Sequence, residues 1–437
     1  MNHTIDSLRR TTDAFPLGHR RCRIVRTMLG SLALAFEEWE RRTVVSARAV
    51  KSPRPLNREP MRMTAAVMYE QGLPAPYIDS QPYRIEQVDL DGPGEGEVLV
   101  EVRAAGLCHS DLSVVAGQRK RTLPAVGGHE GAGVVREVGR GVSQLRPGDH
   151  VVMTGASGCG HCRTCASNRP ALCDLVGASR AKGTLSNGSR RITGLGGNAV
   201  YHYSGISSFA QYAVTTPSAL IKTDPSIPLD VAAMFGCAVV TGAGAVLNTA
   251  RLRPGQSVAV IGLGGVGLCA VMTAKLAGAS EIIGIDINEG KFPLARELGC
   301  THTVLATDPN VVETVRDLTQ GGVDFSFEIS GAKAAVAQAF AITRKGGEII
   351  CVGLGVAGET YPYPHTAMVS EEKSLRGSLL GGGNAERDVP QLLRFYTDGR
   401  LPVDRLRSGT MGFGQLNEAL DRLHHGDVVR QILLPHG

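Results

Sequence analysis

The chain has 437 residues, of which 43% are hydrophobic, and this length fits two domains of an ordinary globular protein. Its net charge of +5 is concentrated at the start, where residues 1–60 carry eleven Arg and one Lys against six acidic residues. The remainder is close to neutral and poor in aromatic residues, which excludes a nucleic-acid-binding surface. No apolar run reaches the ~18 residues that span a membrane.

Residues 1–60 are predicted to be a poorly ordered N-terminal extension. Residues 26–42 have the spacing of a short amphipathic helix, and a transit peptide is one interpretation of the Arg-rich composition. The acidic cluster Glu37, Glu38 and Glu40 argues against a transit peptide, and translation starting at Met61 or Met63 is a simpler alternative. No secretory signal is recognisable, so we expect a cytoplasmic protein.

From residue 63 to about 152 the chain reads as short strands separated by Gly and Pro. Residues 97–103 and 133–138 alternate between apolar and polar side chains, which predicts a small, mostly β domain. Cys108 and His129 lie in this region within Gly-containing motifs. A lone Cys or His is usually a core residue, so these two are candidate metal ligands only in combination with other motifs.

Four cysteines follow at spacings of two, two and seven intervening residues: Cys159, Cys162, Cys165 and Cys173. Short gaps between thiols suit a single tetrahedral zinc ion, and a site closed by four thiolates is structural rather than catalytic. The alternative, two disulfides, requires an oxidising compartment. We therefore predict a structural zinc lobe at residues 155–175. The polar, Gly-rich segment 178–205 that follows is predicted to be a long surface loop, and residues 208–215 return to a strand.

The second half alternates strands with helices, which predicts βαβ units and a buried parallel sheet. The predicted strands lie at residues 257–262, 281–286, 301–305, 323–329 and 348–353, and the helices at 265–277, 291–298, 310–318 and 334–342. The tail contains two helices, at 391–396 and 415–424, and a terminal strand at 430–434. We expect this tail to pack on the first domain.

A glycine fingerprint, Gly262, Gly264, Gly265 and Gly267, connects the first strand of this half to its first helix. Glycines here permit a tight turn and allow the backbone to approach a pyrophosphate at the helix N-terminus. Asp286 closes the next strand, where it can accept hydrogen bonds from the adenosine ribose and repel a 2′-phosphate. The pattern therefore predicts NAD binding, although a Gly-rich turn of an unrelated α/β protein is the alternative.

Cys108, His129 and Cys237 would leave a fourth position open on a zinc ion, as catalytic zinc sites require. Together with the four-cysteine lobe, the glycine fingerprint and their order, these motifs resemble the zinc-dependent alcohol dehydrogenases of the medium-chain dehydrogenase/reductase superfamily, from about residue 63 to the C-terminus. The resemblance implies an α/β architecture, with a GroES-like catalytic domain (61–238 and 380–437) and a Rossmann domain (239–379). It also implies two zinc ions per chain and an NAD-dependent enzyme that oxidises primary or secondary alcohols.

The resemblance further implies roles for individual residues. The catalytic zinc ligands would be Cys108, His129 and Cys237, and the structural ligands Cys159, Cys162, Cys165 and Cys173. Ser110 would take the alcohol proton, Asp111 would orient the ligand histidine, Glu130 would lie near the metal, and Thr241 near the nicotinamide. The NAD-binding positions would be His109, Gly262, Gly264, Gly265, Val266, Gly267, Asp286, Lys291 and Arg430. Phe209 and Leu354 would line the substrate pocket. The plainer alternatives are a turn cap for Ser110, a solvated helix residue for Lys291 and a rim charge for Arg430.

The chain departs from the family pattern in two places. Ser113 occupies the position at which many relatives have a proton-relay histidine, so the proton from Ser110 must leave by another route. Gly155 and Ser110 are smaller than their usual counterparts, which predicts a roomy pocket for a bulky or aromatic alcohol.

Two competing functions remain. One is a thiol-adduct formaldehyde dehydrogenase, but the segment that is acidic in those enzymes is here basic, at Arg119, Lys120 and Arg121. This segment would either attract an acidic substrate or form a solvated turn, and we expect the turn. The other is a non-catalytic zinc or nucleotide-binding relative. The long loop 178–205 resembles the dimeric branch of the family, so we expect a homodimer that acts on a small molecule and binds neither nucleic acid nor membrane.

Overall fold

The structure is a computed structural model that describes residues 59–437, and the expectations for residues 1–58, including the helix at 26–42, lie outside the described residues. Eighteen strands are present in the described part. They are β1 (Met61–Met68), β2 (Tyr83–Leu90), β3 (Val98–Leu107), β4 (Ala125–Val126), β5 (Glu130–Val138), β6 (His150–Thr154), β7 (Ile192–Gly194), β8 (Ala199–His202), β9 (Tyr212–Thr215), β10 (Leu220–Thr223), β11 (Ser257–Ile261), β12 (Glu281–Asp286), β13 (His302–Leu305), β14 (Val323–Glu328), β15 (Thr343–Cys351), β16 (Ser374–Gly377), β17 (Arg407–Met411) and β18 (Arg430–Leu433).

The helices are mostly short outside the second half. They are α1 (Tyr77–Ser80), α2 (His109–Val115), α3 (Arg163–Ala166), α4 (Asp174–Lys182), α5 (Leu229–Ala232), α6 (Ala238–Gly244), α7 (Gly265–Leu276), α8 (Phe292–Leu298), α9 (Val311–Leu318), α10 (Lys333–Ile342), α11 (His365–Ser370), α12 (Ala385–Thr397) and α13 (Leu416–His425). Within residues 59–437, no single helix is long and apolar enough to cross a membrane, and one bent pair, Leu229–Gly236 with Ala238–Ala250, meets the requirement by length and composition only.

The first half forms a five-stranded closed barrel beside a larger sheet. The barrel order is β1-β2-β7-β8-β4, and the sheet order is β10-β6-β5-β3-β18-β17, with β9 paired to β3. The prediction of a surface loop at residues 178–205 is wrong, because this segment supplies β7 and β8 and completes α4. Ile192 and Val200 are buried in the barrel core, so these short strands are stabilised by pairing with distant strands rather than by their own composition.

The second half contains a six-stranded parallel sheet in the order β13-β12-β11-β14-β15-β16. Counted along the chain this is the order 3-2-1-4-5-6, the doubly wound Rossmann topology. All six strands lie between Ser257 and Gly377. The predicted fold class, a β-rich catalytic part with a Rossmann sheet, is confirmed, whereas the exact domain boundaries stay predictions.

Three strands converge where the candidate ligands lie. Strand β3 ends one residue before Cys108, and β5 begins one residue after His129. These two strands are antiparallel neighbours, and β18, which comes from the tail, pairs with the end of β3. Since the register places Ala105 opposite Gly131, the ends of these strands bring Cys108 and His129 to the same edge of the sheet.

Candidate active site

The three predicted catalytic ligands converge. The thiol sulfurs of Cys108 and Cys237 and a ring nitrogen of His129 all lie within 4.8 Å of one another, and all three residues are buried. Cys108 is the N-cap of α2, where the Asp111 carboxylate accepts the Cys108 backbone N–H at 3.0 Å. Cys237 immediately precedes α6. The local capping geometry therefore directs both sulfurs towards one point.

His129 is oriented for metal binding. Its Nδ1 lies 2.9 Å from Oδ1 of Asp111, a carboxylate with no exposed surface, while its Nε2 is buried and has no hydrogen-bond partner among the described residues. An orphaned buried ring nitrogen is unfavourable unless it binds something, and a carboxylate on the opposite nitrogen is the usual arrangement of zinc-ligating histidines. The arrangement fits a zinc ion held by Nε2.

The two buried thiols also fit a cation. A hydrogen bond between them lowers the pKa of Cys108 and raises that of Cys237, so the pair shares a proton in preference to holding two negative charges. A divalent cation removes this restriction, because metal ligation keeps both sulfurs as thiolates. Two Cys and one His are one of the donor sets of catalytic zinc.

Glu130 lies behind the ligands and is paired with Arg430. Its Oε1 accepts a hydrogen bond from Nη1 of Arg430 at 2.7 Å, and both side chains are almost fully buried. Burial raises the pKa of Glu130 to about 7, although the positive charge of Arg430 opposes the shift. Nη1 of Arg430 also donates to the Leu107 carbonyl at 3.2 Å, while its Nε is buried without a partner in the described structure.

The four-cysteine lobe has the geometry of a tetrahedral metal site. The sulfurs of Cys159 and Cys165 are 3.9 Å apart, and those of Cys162 and Cys173 are 3.8 Å apart. Zinc–sulfur bonds of about 2.3 Å in tetrahedral geometry give sulfur–sulfur distances of about 3.8 Å. Disulfides require about 2.05 Å, so the disulfide alternative does not describe this structure, in which all four are free thiols.

The glycine fingerprint adopts the expected strand–turn–helix form. A Cβ at Gly267 would lie 1.9 Å from the Gly262 carbonyl oxygen, whereas a Cβ at Gly264 would meet nothing within 4 Å. Gly267 is therefore required for packing of the turn, and the open space at Gly264 is where a ligand would approach the backbone. A Cβ at Gly265 would lie 2.4 Å from Nε of Arg430, so this side chain reaches the turn.

The other predicted NAD contacts surround this turn. Asp286 is buried, and its Oδ2 accepts the Leu263 N–H at 2.6 Å, so it fixes the turn. Nζ of Lys291 lies 3.2 Å from both carboxylate oxygens of Asp286. His109 is close enough to Lys291 and Arg430 that desolvation and then these positive charges lower its pKa. Lys291 and Arg430 supply the positive charge of this region, while the lowered pKa leaves His109 a neutral hydrogen-bonding group, a combination that fits a pyrophosphate.

Thr241 and Val266 lie on the helices that follow Cys237 and Gly264. Oγ1 of Thr241 is buried and lacks a partner in the part of the chain that is described, which leaves it available to a ligand. Val266 is partly buried against the main core of the second half. Their assignment to the nicotinamide stays a prediction.

The predicted pocket residues are not brought together as one surface. Phe209 has no exposed surface and packs edge-on against Tyr83, with ring centroids 5.7 Å apart, whereas Leu354 is 51% exposed. Ser110 has its Oγ 3.9 Å from the Cys108 sulfur. A Cβ at Gly155 would meet only the His129 carbonyl oxygen, at 3.9 Å, so space is open beside the ligand histidine.

Tyr203, which is buried next to the ligands, has no motif or spacing that predicts a role in the site. Its ring lies 6.0 Å from the His129 ring, and its hydroxyl donates to the Ser110 carbonyl at 3.4 Å. The guanidinium of Arg121 lies 5.5 Å from the centre of the same ring. The expectation that residues 119–121 form a solvated turn is wrong for Arg119 and Arg121, which are partly buried, and holds only for Lys120.

Comparison with known families gives two matches. Residues 94–226 match the alcohol dehydrogenase GroES-like domain, and residues 265–398 match the zinc-binding dehydrogenase family. Among curated proteins, the chain is 36% identical over 383 residues to S-(hydroxymethyl)glutathione dehydrogenase of Paracoccus denitrificans, which covers 86% of this chain and 100% of that protein. It is 35% identical to the enzyme of the same name from Saccharomyces cerevisiae, over 86% of this chain and 97% of that protein.

Solved structures give the same result. An alcohol dehydrogenase zinc-binding domain protein from Burkholderia ambifaria superposes with a TM-score of 0.81 at 36% identity, covering 86% of this chain and 100% of that chain. Benzyl alcohol dehydrogenase from Acinetobacter calcoaceticus superposes with a TM-score of 0.79 at 31% identity, covering 86% and 99%.

Proposed function

The chain belongs to the zinc-dependent alcohol dehydrogenases of the medium-chain dehydrogenase/reductase superfamily, and from this premise we propose how its own residues oxidise an alcohol with NAD. Membership makes it a zinc oxidoreductase that transfers a hydride between NAD and an alcohol or aldehyde. The observation that carries the assignment of residues is the convergence of two buried sulfurs with the unpartnered Nε2 of His129.

In this proposal Cys108, His129 and Cys237 hold the catalytic zinc, which when bound lowers the pKa of the substrate hydroxyl. Asp111 holds the His129 ring through Nδ1, so that Nε2 faces the metal. The hydroxyl of Ser110, which lies beside the Cys108 sulfur, receives the substrate proton. Because Ser113 cannot act as a relay base, the proton held by Ser110 would have to leave by a route that does not use the side chain at position 113, and a bound NAD would offer ribose hydroxyls for it.

The NAD half of the site is proposed to consist of the glycine turn, Asp286, the neutral His109 and the positively charged Lys291 and Arg430. Asp286 accepts the ribose hydroxyls, and His109, Lys291 and Arg430 face the pyrophosphate. Val266 and Thr241 lie beside the nicotinamide ring. Glu130 balances the charge of Arg430 in the interior, where an unpaired guanidinium would be unfavourable.

We propose a bulky or aromatic alcohol as the substrate. The support is the open space at Gly155 beside His129 together with the small side chain of Ser110. S-(hydroxymethyl)glutathione is the second candidate, because two of the curated relatives carry that name. A homodimer in the cytoplasm is also proposed; reduced thiols at both metal sites are compatible with that compartment.

The test is a comparison of metal content and NADH formation for the full chain. We expect about two zinc ions per chain and NAD-dependent oxidation of benzyl alcohol that exceeds oxidation of ethanol. Cys108→Ser should lose one zinc and the activity, whereas Cys351→Ser, which alters a half-buried thiol outside both metal clusters, should keep both. Turnover of S-(hydroxymethyl)glutathione in preference to benzyl alcohol would favour the second candidate. Loss of zinc without loss of activity in Cys108→Ser would contradict the ligand assignment. The oligomeric state is measured by light scattering as the protein elutes from a size-exclusion column, and the proposal expects the mass of a dimer.

A further inference from the structure

Three arginines lie close together beside the candidate active site. Arg119 and Arg121 come from the turn after α2, and Arg180 comes from α4. Each is partly buried, and Lys120 between the first two is exposed. Desolvation, followed by the charge of Arg121, lowers the pKa of both Arg119 and Arg180, as expected if Arg121 lies near each of them.

The turn is fixed in place by hydrogen bonds. The side chain of Gln71 donates to the Arg119 carbonyl at 2.8 Å and accepts the Arg121 N–H at 2.9 Å. The hydroxyl of Thr122 donates to the Ala181 carbonyl at 2.8 Å, which joins the turn to α4. These hydrogen bonds therefore fix the backbone of the turn that carries Arg119 and Arg121 next to α4, which carries Arg180.

None of the three guanidiniums has a carboxylate partner among residues 59–437. Nε of Arg121 and Nε of Arg180 are both buried without a hydrogen-bond partner. Arg180 donates instead to the Gly155 carbonyl and to Oγ of Ser157, and it lines a small cavity together with hydroxyl-bearing residues such as Ser179 and Thr216. Burying like charges without a counter-charge costs free energy. A bound anion would lower this cost.

The cluster borders the space in which the substrate would react. Arg121 packs on the face of Tyr203, whose ring also lies 6.0 Å from the His129 ring and whose hydroxyl donates to the Ser110 carbonyl. Arg180 is bonded to the carbonyl of Gly155, the residue that leaves space beside His129. An anion bound by the arginines would thus lie one aromatic ring away from the reacting hydroxyl.

We propose that Arg119, Arg121 and Arg180 bind a carboxylate carried by the substrate, so that the enzyme oxidises alcohols that bear a carboxylate at a distance from the hydroxyl. This inference rests on the proposed function, since it names the substrate class of the same site. Bidentate guanidinium–carboxylate pairing suits such a group. A glutathione adduct also offers carboxylates, and the test below therefore includes it as the competing substrate.

The test uses substrates of matched shape. The zinc-loaded full chain is assayed with 4-(hydroxymethyl)benzoate, its 3-isomer, the neutral 4-(hydroxymethyl)benzamide and S-(hydroxymethyl)glutathione, and calorimetry measures binding of the benzoate without NAD. We expect kcat/KM for the better benzoate to exceed that for the amide by about tenfold or more, the value of one charge-assisted hydrogen bond. Arg121→Gln and Arg180→Gln should each lower this ratio and the benzoate affinity about tenfold.

Lys120→Gln is the matched control, since it removes the same charge from the exposed position of the same turn. Its ratio of kcat/KM for the benzoate to kcat/KM for the amide should equal that of the unmodified chain. Melting temperatures show whether Arg180→Gln is folded, and Arg121→Gln decides the matter if it is not. A ratio near one, or equal losses for benzoate and amide, would overturn the proposal. Arginine-dependent preference for S-(hydroxymethyl)glutathione would overturn the assignment to simple carboxylate alcohols. If no alcohol is oxidised, the proposed function fails, while arginine-dependent benzoate binding in the calorimeter still decides for or against the anion site.

Discussion

Removing one ligand of the four-cysteine lobe should unfold the lobe while leaving the rest of the molecule folded. The perturbation is Cys162→Ser. The lobe has almost no apolar core, because neither α3 nor the helical turn Pro170–Leu172 buries a side chain. Its order must therefore come from backbone hydrogen bonds and from the metal.

The magnitude follows from the fifteen residues 159–173. Ordering them costs about 15–30 kcal/mol at roughly 1–2 kcal/mol per residue. Turn hydrogen bonds such as Ala166 N–H to the Cys162 carbonyl and Arg169 N–H to the Thr164 carbonyl number six and return about 3–9 kcal/mol in total. Binding of a structural zinc supplies about 10–16 kcal/mol. The metal is thus the largest favourable contribution, and the lobe cannot stay ordered without it.

Hydrogen exchange read by mass spectrometry, together with zinc analysis, measures this. We expect Cys162→Ser to hold one zinc per chain and to lose amide protection over 158–173, with protection in β11 to β15 unchanged. Cys351→Ser should match the unmodified chain in both measurements. A Cys162→Ser protein that keeps two zinc ions, or one that loses zinc but keeps the lobe protected, would refute the reasoning.

Three further predictions concern single positions. Gly267→Ala should lower the melting temperature, since its Cβ would meet the Gly262 carbonyl oxygen at 1.9 Å, at a cost of about 1–3 kcal/mol; Gly264→Ala has open space and should instead keep its stability and raise KM for NAD, and an equal thermal loss in both would contradict this. Asp286→Asn should raise KM for NAD about tenfold and lower the NAD/NADP ratio of kcat/KM, as judged by steady-state kinetics with both nucleotides; an unchanged ratio would remove Asp286 from cofactor selection. Burial alone would raise the pKa of Glu97, but hydrogen bonds from Arg191, Ser189 and Asn187 outweigh burial and lower the pKa. The charged carboxylate therefore stabilises the folded state fully above its unfolded pKa near 4.5. This stabilisation is lost as the pH falls through the lower pKa of the folded state. Glu97→Gln should accordingly cost about 2–3 kcal/mol at pH 7 and progressively less below about pH 4.5, measured by chemical unfolding; a cost independent of pH would argue against the carboxylate as its source.

The sequence predicts the Rossmann half well because its strands are continuous apolar runs. The predicted strand 281–286 coincides with β12, and the predicted helix 265–277 differs from α7 by one residue. Such strands are buried on both faces, so composition alone reveals them. In contrast β7 and β8 have three and four residues and are stable only because β2 and β4 pair with them, which a local pattern does not contain.

The same distinction applies to the site. The four-cysteine lobe and the glycine turn are local in the chain, and their spacing is sufficient to predict them. Cys108 and Cys237 are separated by most of the β-rich half, and only the family resemblance joined them. Tyr203 and Arg180 gave no signal, since an isolated Tyr or Arg has no distinctive spacing. Tyr203 contacts His129 across the fold, and Arg180 comes near Arg121 because α4 packs against the turn that follows α2.

Arg430 connects the candidate metal site with the glycine turn. One guanidinium is bonded to Glu130 behind the candidate metal ligands and also lies against Gly265 of the cofactor turn. If nucleotide binding draws this side chain towards the turn, the factor by which NAD changes the affinity for the alcohol must equal the factor by which the alcohol changes the affinity for NAD. In that case the affinity for each ligand would have to be measured with and without the other, and Arg430 would contribute to the size of the factor.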